Sequence, residues 1–534
     1  MVNSDRRFGE WWLVAAVIGL TLVFLLAPVA VGLMQNSPTH YWFGANQVTI
    51  ADYPVYLSFI EQAREGKLIF TNLYTTEPQT PALFMPLWLA LGVFSQLVGG
   101  GAILWFYLAK IAAAAGLLLM LYAFIRRLFP EIWQRLTTLV FLAWSSGLGF
   151  LIVPAERVWK EYVIFYKVSA DFWIPESNTF LSMYHSPLFS MAQLLLLAIF
   201  YVFLFVDRQW KFLLLTLLTL LLGILHPYDL VTVGLVLFLY VLVRWLTDRR
   251  FSWTAAQAYI AVVAGALPAG LYYVWITRSE WVVSAWALRN WTPSPPVFSY
   301  LFGYGLVLML AVIGAAVVLR RYKKDLYFLL VWALTSGVLL YAPSPIQRRF
   351  ANGLHIALAL LAALALILII QRLQKQRAAL YIILPFLFAG LLVSNITILV
   401  EDVASYQRHQ FPAVWPSEYA SAADWLQNNS APDDAVMADV QIANVLPALT
   451  GRPVYAGHGH QTADFDKKRK LLERWFFRTN TDDAGKAALL RANHIRFVWY
   501  SEYERVWGDF APSEKDYLEK VYERGGVEVY QVKE

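Results

Sequence analysis

The sequence predicts an α-helical polytopic membrane protein with about eleven transmembrane helices, one interfacial helix and a C-terminal extracytoplasmic α/β domain. The first observation is composition: 59% of the 534 residues are hydrophobic and 15% are charged, whereas about a quarter of a soluble domain is charged. The second is the uncharged run 11–34, which is long enough to cross a hydrocarbon core about 30 Å thick. The third is a change to charged sequence after Val400. It divides the chain into a transmembrane domain, 1–400, and a soluble domain, 401–534.

Twelve apolar windows are candidates for membrane helices. The first follows Arg6 and Arg7, but it exceeds the apolar core of a signal peptide, about 7–15 residues, and lacks a clear cleavage site, so a retained span is predicted. The window 82–98 is short, has Pro81 and Pro86 in its first turns and is followed by three glycines, which favours an interfacial helix. The other eleven windows are 11–34, 102–125, 136–153, 188–206, 212–225, 229–246, 254–276, 298–319, 326–342, 353–370 and 379–400.

The positive-inside rule sets the orientation of the eleven predicted spans. With a cytoplasmic N-terminus, the cytoplasmic segments hold 17 Lys and Arg residues when Arg244 at the inner end of the window 229–246 is counted, and the outer segments before residue 401 hold nine. Counting 82–98 as a further span would place the basic loops after it on the wrong side. The sequence therefore predicts a multi-pass plasma-membrane protein with an extracytoplasmic C-terminal domain and with large outer loops at 35–101 and 154–187.

Charge and cysteine content narrow the function classes. The formal net charge is +6, and the basic residues cluster in short loops between apolar windows, which is typical of membrane orientation and gives no support to nucleic-acid binding. The chain has no cysteine, which excludes disulfides, thiolate zinc sites and cysteine catalysis. The sequence indicates no oligomeric state.

The sequence of the C-terminal domain predicts short strands that alternate with helices. Apolar stretches at 436–440, 495–500 and 527–532 predict strands, and the segments between them show a helical period. This alternation favours a small, mostly parallel α/β domain. His458 and His460 in GHGH are either metal ligands or ordinary loop residues, because no third ligand lies near them in the sequence.

The outer loop 35–101 carries an aspartate, Asp52, at the head of a predicted helix. Tyr53 begins the apolar face of this helix, and Gly66 ends it. Asp52 is either an N-cap that accepts a backbone N–H, with Pro54 in the first turn, or a carboxylate that also faces a cavity. Both roles are open.

Two further outer segments hold polar groups next to apolar sequence. In the loop 154–187, Glu176 and His185 flank an apolar stretch that leads into the next span, and His226 and Asp229 of HPYD lie where a span meets the outer surface. Polar groups this close to hydrocarbon are costly unless they pair or face water, so function and structural pairing are both open for HPYD. The other acidic residues of the loop are Glu156, Glu161 and Asp171.

A basic pair, Arg348 and Arg349, lies on the predicted outer side, against the general charge asymmetry. One interpretation is contact with phospholipid head groups through long side chains that reach the interface. The other is binding of the phosphate of a lipid-linked substrate, because the planar guanidinium matches phosphate oxygens.

The order of these parts resembles the GT-C superfamily of polyprenyl-phosphate-sugar-dependent glycosyltransferases. One span precedes a large outer loop with an acidic residue, Asp52, in DYPVYLSFIEQAREG. A loop helix, PALFMPLWLALGVF, many short-looped spans and an outer α/β tail follow. The chain looks most like bacterial relatives of the aminoarabinose and protein mannosyl transferases. The resemblance covers 1–400, and the tail is an appendage of the sort that many such enzymes carry.

This resemblance implies a hexosyl- or pentosyltransferase that moves a sugar from a polyprenyl-phosphate donor in the outer leaflet to an extracytoplasmic acceptor, which is an envelope glycan, a lipid or a protein. Asp52 would be the catalytic base, and Arg348 and Arg349 would bind the donor phosphate. Glu176 or His185 would orient the acceptor or hold a divalent cation, Mg²⁺ or Mn²⁺. A tyrosine, and not the second acidic residue of the commoner family pattern, follows Asp52, so metal use is open. The remaining predicted substrate-binding residues are Tyr53, His226 and Asp229.

Three alternatives stand beside this prediction. A membrane acyltransferase would use a histidine such as His185 or His226, but neither lies in a recognisable catalytic motif. A lipid or polysaccharide transporter would be expected to show inverted repeats with broken spans in matching halves, and the sequence shows no clear repeat. A degenerate glycosyltransferase would serve only in envelope assembly.

Overall fold

The computed structural model describes residues 2–151, 169–321, 324–374 and 376–533. Glu156 and Glu161, with most of the first half of the predicted outer loop 154–187, lie outside the described residues. The chain forms two compact units. The first unit comprises Met1–Pro28, Leu108–Tyr272 and Thr292–Glu401, and the second comprises Val29–Tyr107, Tyr273–Trp291 and Asp402–Glu534.

Among the described residues, eight helices are long and apolar enough to cross a membrane by length and composition. The first lies within the helix Val2–Met34, and the last lies within Arg377–Gln407. The seventh combines the 3₁₀ turn Gln347–Ala351 with the helix Leu354–Leu373. The eight segments are Gly9–Met34, Ala102–Leu128, Pro187–Phe205, Asp229–Asp248, Trp253–Ser279, Val297–Arg320, Gln347–Leu373 and Leu387–Gln407.

The other three predicted spans correspond to shorter helices. Ile132–Trp144, Lys211–Leu225 and Tyr327–Leu339 have 13, 15 and 13 residues, which is about 20 Å of helix at roughly 1.5 Å per residue. Each of the eleven predicted windows therefore contains a helix, and eight of these helices have the length of a full span.

The window 136–153 was predicted too long, because its helix ends at Trp144. Ser145 has an extended backbone. Gly147 then lies so close to Gly303 that a Cβ atom would come within 2.3 Å of the Gly303 carbonyl oxygen. The apolar sequence after Trp144 packs closely against another backbone segment, and the helix does not continue. Hydropathy alone does not distinguish these two cases.

The window 82–98 forms the helix Pro86–Val98 of the second unit. At 13 residues it is about 20 Å long and too short to cross a hydrocarbon core of about 30 Å. It packs tightly against the helix Tyr53–Arg64, since a Cβ atom on Gly92 would meet the Ala63 Cβ at 2.2 Å. The short window that the sequence excluded from the spans is therefore a helix packed on the first outer loop.

The predicted orientation is testable with a fusion at the C-terminus. A reporter enzyme that is active only outside the cytoplasm, attached after Glu534, is expected to be active, because eleven crossings from a cytoplasmic N-terminus place that end outside. The measurement is reporter activity per amount of fusion protein in the membrane. A stably expressed but silent fusion, together with an active cytoplasmic reporter at the same position, would contradict the orientation.

The second unit contains two sheets. In the first, β1 (His40–Trp42) pairs antiparallel with β2 (Val414–Pro416). The second has the order β3-β4-β6-β5. Its strands are β3 (Ala435–Met437), β4 (Ile495–Tyr500), β5 (Leu518–Arg524) and β6 (Val527–Val532).

The prediction of a mostly parallel tail sheet was wrong. Only β3 and β4 pair in parallel, whereas β4–β6 and β5–β6 are antiparallel. The cause is local: Gly525 and Gly526 both have positive φ, 56° and 81°, and form the tight turn of a hairpin. A Gly-Gly pair between two alternating stretches is a hairpin signal that the sequence analysis did not use.

Shorter helices complete the two units. In the tail, helices and the four-stranded sheet enclose an apolar core that includes Phe476, Val498 and Tyr530. The predicted strand 436–440 is shorter than expected, because Asp439 caps a helix by accepting the Gln441 N–H. The remaining α-helices are Ala170–Trp173, Thr179–His185, Trp281–Arg289, Ser417–Asn429, Val440–Thr450, Phe465–Leu471, Asp483–Ala492 and Glu502–Arg505.

Candidate active site

A buried ion pair joins two residues that the sequence singled out separately. Glu176 lies in the 3₁₀ turn Pro175–Ser177, and Arg349 lies in the 3₁₀ turn Gln347–Ala351. Arg349 Nη1 donates to Glu176 Oε1 at 2.7 Å, and the glutamate side chain is fully buried. Burial raises the pKa of Glu176, but the positive charges of Arg349 and Arg348 outweigh it and hold that pKa below its usual range. Glu176 is therefore an ionised carboxylate inside the first unit.

One oxygen of Glu176 remains open toward the interior. In the described part of the chain, Glu176 Oε2 is buried and accepts no hydrogen bond. A buried carboxylate oxygen without a donor costs free energy.

His226 and Asp229 of HPYD are paired with each other. His226 Nδ1 lies 3.0 Å from Asp229 Oδ2, and Asn352 Nδ2 donates to the same oxygen at 2.7 Å. Gln193 Nε2 donates to Asn352 Oδ1 at 2.9 Å. The sequence left function and structural pairing open for HPYD, and the structure shows the pairing. These hydrogen bonds connect the start of the helix Asp229–Asp248 to Asn352, which lies three residues after Arg349.

Aromatic rings hold the two arginines. The Arg348 guanidinium lies 5.0 Å from the Trp173 ring centroid, and that of Arg349 lies 5.7 Å from the Tyr228 ring centroid. Such stacking leaves the edge of a planar guanidinium able to donate hydrogen bonds. Each aromatic ring therefore positions its arginine by contact with the planar face of the guanidinium group.

His185 lies near this cluster through an aromatic ring. Its imidazole meets Phe189 edge-on at 4.9 Å, and Phe189 in turn meets His226 at 5.6 Å. His185 is buried, at 3% exposure. The structure therefore brings Glu176, Arg349, His226 and Asp229 into one polar cluster, with His185 one ring away.

Three interior polar residues were missed from the sequence. Gln193 and Asn352 belong to the hydrogen-bonded chain described above, and Lys110 is 2% exposed with its ammonium 4.6 Å from the Tyr184 ring centroid. Gln193 and Lys110 each lie inside a predicted span. Polar side chains within spans are a functional signal in themselves, and that signal was available in the sequence.

An apolar groove of about 460 Å³ lies along three helices of the first unit. Tyr341 and Leu354 line one end of it, and the chain between these two residues carries Arg348 and Arg349. Tyr300 belongs to the same end, because its ring centroid is 6.3 Å from that of Tyr341. This end of the groove lies near the turn Gln347–Ala351, because the Tyr300 hydroxyl lies 3.1 Å from Ser294 Oγ and the Ser294 N–H donates to Gln347 Oε1 at 3.1 Å.

The groove is long as well as apolar. Its lining along the helix Val297–Arg320 extends from Val297 to Leu319. At ~1.5 Å per residue this is roughly 33 Å, comparable to a hydrocarbon core. The lining is almost wholly aliphatic and aromatic, including Leu308, Leu330 and Leu361.

Asp52 occupies the N-cap position of the helix Tyr53–Arg64, but its side chain makes no capping hydrogen bond. The capping role considered for this carboxylate is therefore not what the structure shows. Asp52 Oδ1 lies instead 3.3 Å from His458 Nε2, and the aspartate side chain is 47% exposed. Both histidines in GHGH were expected to be either metal ligands or loop residues, and His458 is the one that lies against Asp52.

The hydrogen bonds around His458 define its tautomer. The backbone N–H groups of His460 and Gln461 donate to His458 Nδ1 at 3.3 and 3.2 Å. Because Nδ1 accepts, the proton of the neutral ring lies on Nε2. His458 is buried, at 5% exposure, so the loop presents a fixed N–H to Asp52.

Tyr53, predicted to bind substrate, lies in the interior of the second unit. It is 1% exposed, and its ring meets Phe43 and Phe106 edge-on at 5.4 and 4.8 Å. Its contacts are those of a core residue. It anchors the first turn of the helix that Asp52 precedes.

No group of three or more His, Asp or Glu residues suited to a metal ion occurs in the described parts of the chain. The pairs His226–Asp229 and His458–Asp52 each bring together only two potential ligands. The described residues therefore do not fit the Mg²⁺ or Mn²⁺ site that the resemblance left open, and no chemical step below depends on a metal.

No protein-family model matches the sequence, and no curated protein matches it. Solved structures do match. The archaeal oligosaccharyltransferase AglB from Archaeoglobus fulgidus, in complex with an inhibitory peptide and a dolichol-phosphate, gives a TM-score of 0.52 at 12% identity over 98% of this chain and 74% of AglB. ArnT from Cupriavidus metallidurans in the apo state gives a TM-score of 0.52 at 12% identity over 97% of this chain and 98% of ArnT.

Both neighbours are GT-C glycosyltransferases. At 12% identity the likeness shows the fold alone, and it confirms the predicted GT-C-like, α-helical membrane fold. This chain is a multi-pass membrane protein with the GT-C fold.

Proposed function

We propose that the protein is a membrane glycosyltransferase that takes a sugar from a polyprenyl-phosphate donor and transfers it to an extracytoplasmic acceptor. The observation that carries the proposal is the apolar groove that ends at the turn bearing Arg348 and Arg349. A polyprenyl phosphate has the matching shape, because a long apolar chain ends in a compact anion. Neither a soluble nucleotide sugar nor an acyl donor without phosphate would use both parts.

The arginines fit the leaving group of such a reaction. The acceptor oxygen attacks the anomeric carbon, the bond between that carbon and the phosphate oxygen breaks, and the bonding electron pair leaves with the phosphate. Donors aimed at the charge that develops stabilise the transition state. Arg348 and Arg349 supply these donors, and the buried carboxylate of Glu176 holds Arg349 in place at 2.7 Å.

Asp52 is proposed as the base that accepts the proton of the acceptor hydroxyl. His458 Nε2, which carries the proton of the neutral ring, lies 3.3 Å from Asp52 Oδ1. The exposed aspartate is thereby held in one orientation by a buried ring whose tautomer the loop fixes. A positioned base contributes about 10²–10⁴ in rate.

The structural neighbours support the donor class. The AglB structure contains a dolichol-phosphate, which is a polyprenyl-type phosphate. The proposed acceptor is an envelope glycan, a lipid or a protein, and the site chemistry requires a hydroxyl group on it.

Binding of undecaprenyl phosphate to the purified protein tests the proposal without knowledge of the sugar. Arg348→Ala is expected to weaken binding by about 10–100-fold, because a hydrogen bond to a charged group contributes about 1.5–3 kcal/mol. Arg348→Lys should restore only part of the affinity, because lysine lacks the planar fork. The measurement is the dissociation constant in detergent or nanodiscs.

Two controls belong to this experiment. Undecaprenol, which lacks the phosphate, should bind wild type and Arg348→Ala equally, and Arg278→Ala, which removes an exposed arginine outside the turn, should bind undecaprenyl phosphate like wild type. Equal affinity of wild type and Arg348→Ala for undecaprenyl phosphate would remove the arginine turn from donor binding.

A further inference from the structure

A second cavity of about 460 Å³ lies at the far ends of two spans of the first unit. The helices Pro187–Phe205 and Asp229–Asp248 both begin beside the Glu176 cluster, and their last turns, with Phe205 and Asp248, line this cavity. Their 19 and 20 residues correspond to about 30 Å of helix, the thickness of a hydrocarbon core. The cavity therefore opens at the membrane face opposite to that of the cluster, which is the cytoplasmic face in the predicted orientation.

The lining is divided between apolar and charged groups. Phe203, Phe205 and Val241 are among its apolar residues, and Arg244, Asp248 and Arg250 are its charged ones. A cavity that is lined by both apolar and charged side chains at the end of a span suits an amphipathic molecule. It does not suit a purely apolar chain, in contrast to the groove proposed for the donor.

Charge at this cavity is positive after its one acid is paired. Arg244 Nη2 and Lys324 Nζ lie 2.8 and 2.9 Å from the two oxygens of Asp248. Two cations thus neutralise one carboxylate, and Arg250 adds a third positive charge on the cavity wall. The surplus favours an anion.

Aromatic residues around the cavity mark the depth of lipid head groups. Trp245, Phe251 and Trp253 are 48%, 45% and 74% exposed, and their rings touch in sequence, at 5.9 and 5.0 Å between centroids. Exposed tryptophans at the end of a span are typical of the membrane–water interface. This is the depth at which the phosphates of membrane lipids lie.

We propose that this cavity binds the head group of an anionic glycerophospholipid, with the phosphate at Arg250 and Arg244 and the start of an acyl chain against Phe203 and Phe205. Basic pockets between transmembrane helices are suited to anionic head groups. The site is separate from the proposed transfer chemistry, and it would couple the protein to the lipid composition of its leaflet.

The test is lipid retention by the purified full-length protein, measured by native mass spectrometry with phosphatidylglycerol and phosphatidylcholine as probes. Wild type is expected to retain phosphatidylglycerol preferentially. Arg250→Gln should lower its affinity about five-fold, which is the size of the effect of one basic residue near an anionic surface, and Arg250→Glu should lower it further. Arg249→Gln is the matched control, because Arg249 is an adjacent exposed arginine that does not line the cavity.

Each outcome decides for or against the site. Loss in the Arg250 variants with retention in Arg249→Gln supports it. Equal loss in both positions would show general surface attraction and overturn it, and so would the absence of a preference for phosphatidylglycerol. Competition by millimolar inorganic phosphate as strong as by the lipid would identify a soluble-anion site instead. Undecaprenyl phosphate binding, measured on the same variants, should be unchanged, so failure here is distinct from failure of the donor site.

Discussion

Arg349→Ala is expected to lower the free energy of unfolding by about 3–5 kcal/mol, the cost of leaving a buried charge without its partner. Glu176 is fully buried, and Arg349 Nη1 contacts its Oε1 at 2.7 Å. The expected loss is measured as a shift of the unfolding transition in denaturant. Because this variant is destabilised, a loss of activity in it would not by itself report on donor binding.

A double variant separates pairing from other roles of Arg349. In Arg349→Ala/Glu176→Gln the charge to be compensated is gone, so more than half of the lost stability should return. Arg348→Ala is the matched control from the adjacent position: it loses a stacking contact with Trp173 at 5.0 Å, which contributes about 0.5–1 kcal/mol at an exposed site. A double variant no more stable than Arg349→Ala would contradict the buried pair.

The pair also predicts a direction for pH dependence. The pKa of Glu176 is held below its usual range by Arg349 and Arg348 despite burial. Its stabilising contribution is therefore fully present above the unfolded-state pKa of about 4.3 and is lost as pH falls through the lower folded-state pKa. Wild type should lose stability on acidification in that window more steeply than Glu176→Gln does.

Asp52→Asn is expected to reduce sugar transfer by about 10²–10⁴, because asparagine cannot accept the proton of the acceptor. Folding should be nearly unchanged, since the side chain is 47% exposed and makes no capping hydrogen bond. The measurement is the single-turnover rate of transfer at saturating donor, alongside the thermal unfolding midpoint of the same preparation.

The histidines of GHGH supply the control for this prediction. His458→Ala removes the N–H that holds Asp52 Oδ1, so it should reduce turnover less than Asp52→Asn does. His460→Ala, two residues away and bonded to the Arg289 carbonyl at 2.8 Å, should leave turnover close to wild type. A folded Asp52→Asn protein with near wild-type turnover would exclude Asp52 from the chemistry.

Hydropathy and helix length predicted the helices because both are properties of the local sequence. The windows 188–206 and 229–246 differ from their helices by only one or two residues at each end. The predicted helix extended too far beyond Trp144 because the chain leaves the helix there. Gly147 then makes a close contact with Gly303, which is 156 positions further along the chain. The prediction of parallel strands in the tail sheet was wrong for another reason. The Gly-Gly pair that begins at Gly525 is a hairpin signal in the sequence, and a hairpin makes its two strands antiparallel.

The sequence predicted individual residues of the candidate site, but it did not predict which of them contact each other. Glu176 and Arg349 are 173 residues apart in the chain, and no local pattern indicates that they pair. The partner of Asp229 includes Asn352, which lies just before an apolar window and reads from the sequence as a loop residue. The role of His458 depends on the tail folding against the first outer loop within one unit, which two histidines in GHGH do not reveal.

Release of free polyprenyl phosphate tests the central claim most directly. The purified protein is reconstituted with a pool of polyprenyl-phosphate sugars and acceptors extracted from membranes of the source organism, and free polyprenyl phosphate is quantified by mass spectrometry. The account predicts time-dependent release with wild type and at least a 100-fold slower release with Asp52→Asn, in the range expected for a lost base. No release by folded wild-type protein, or equal release by both proteins, would contradict it.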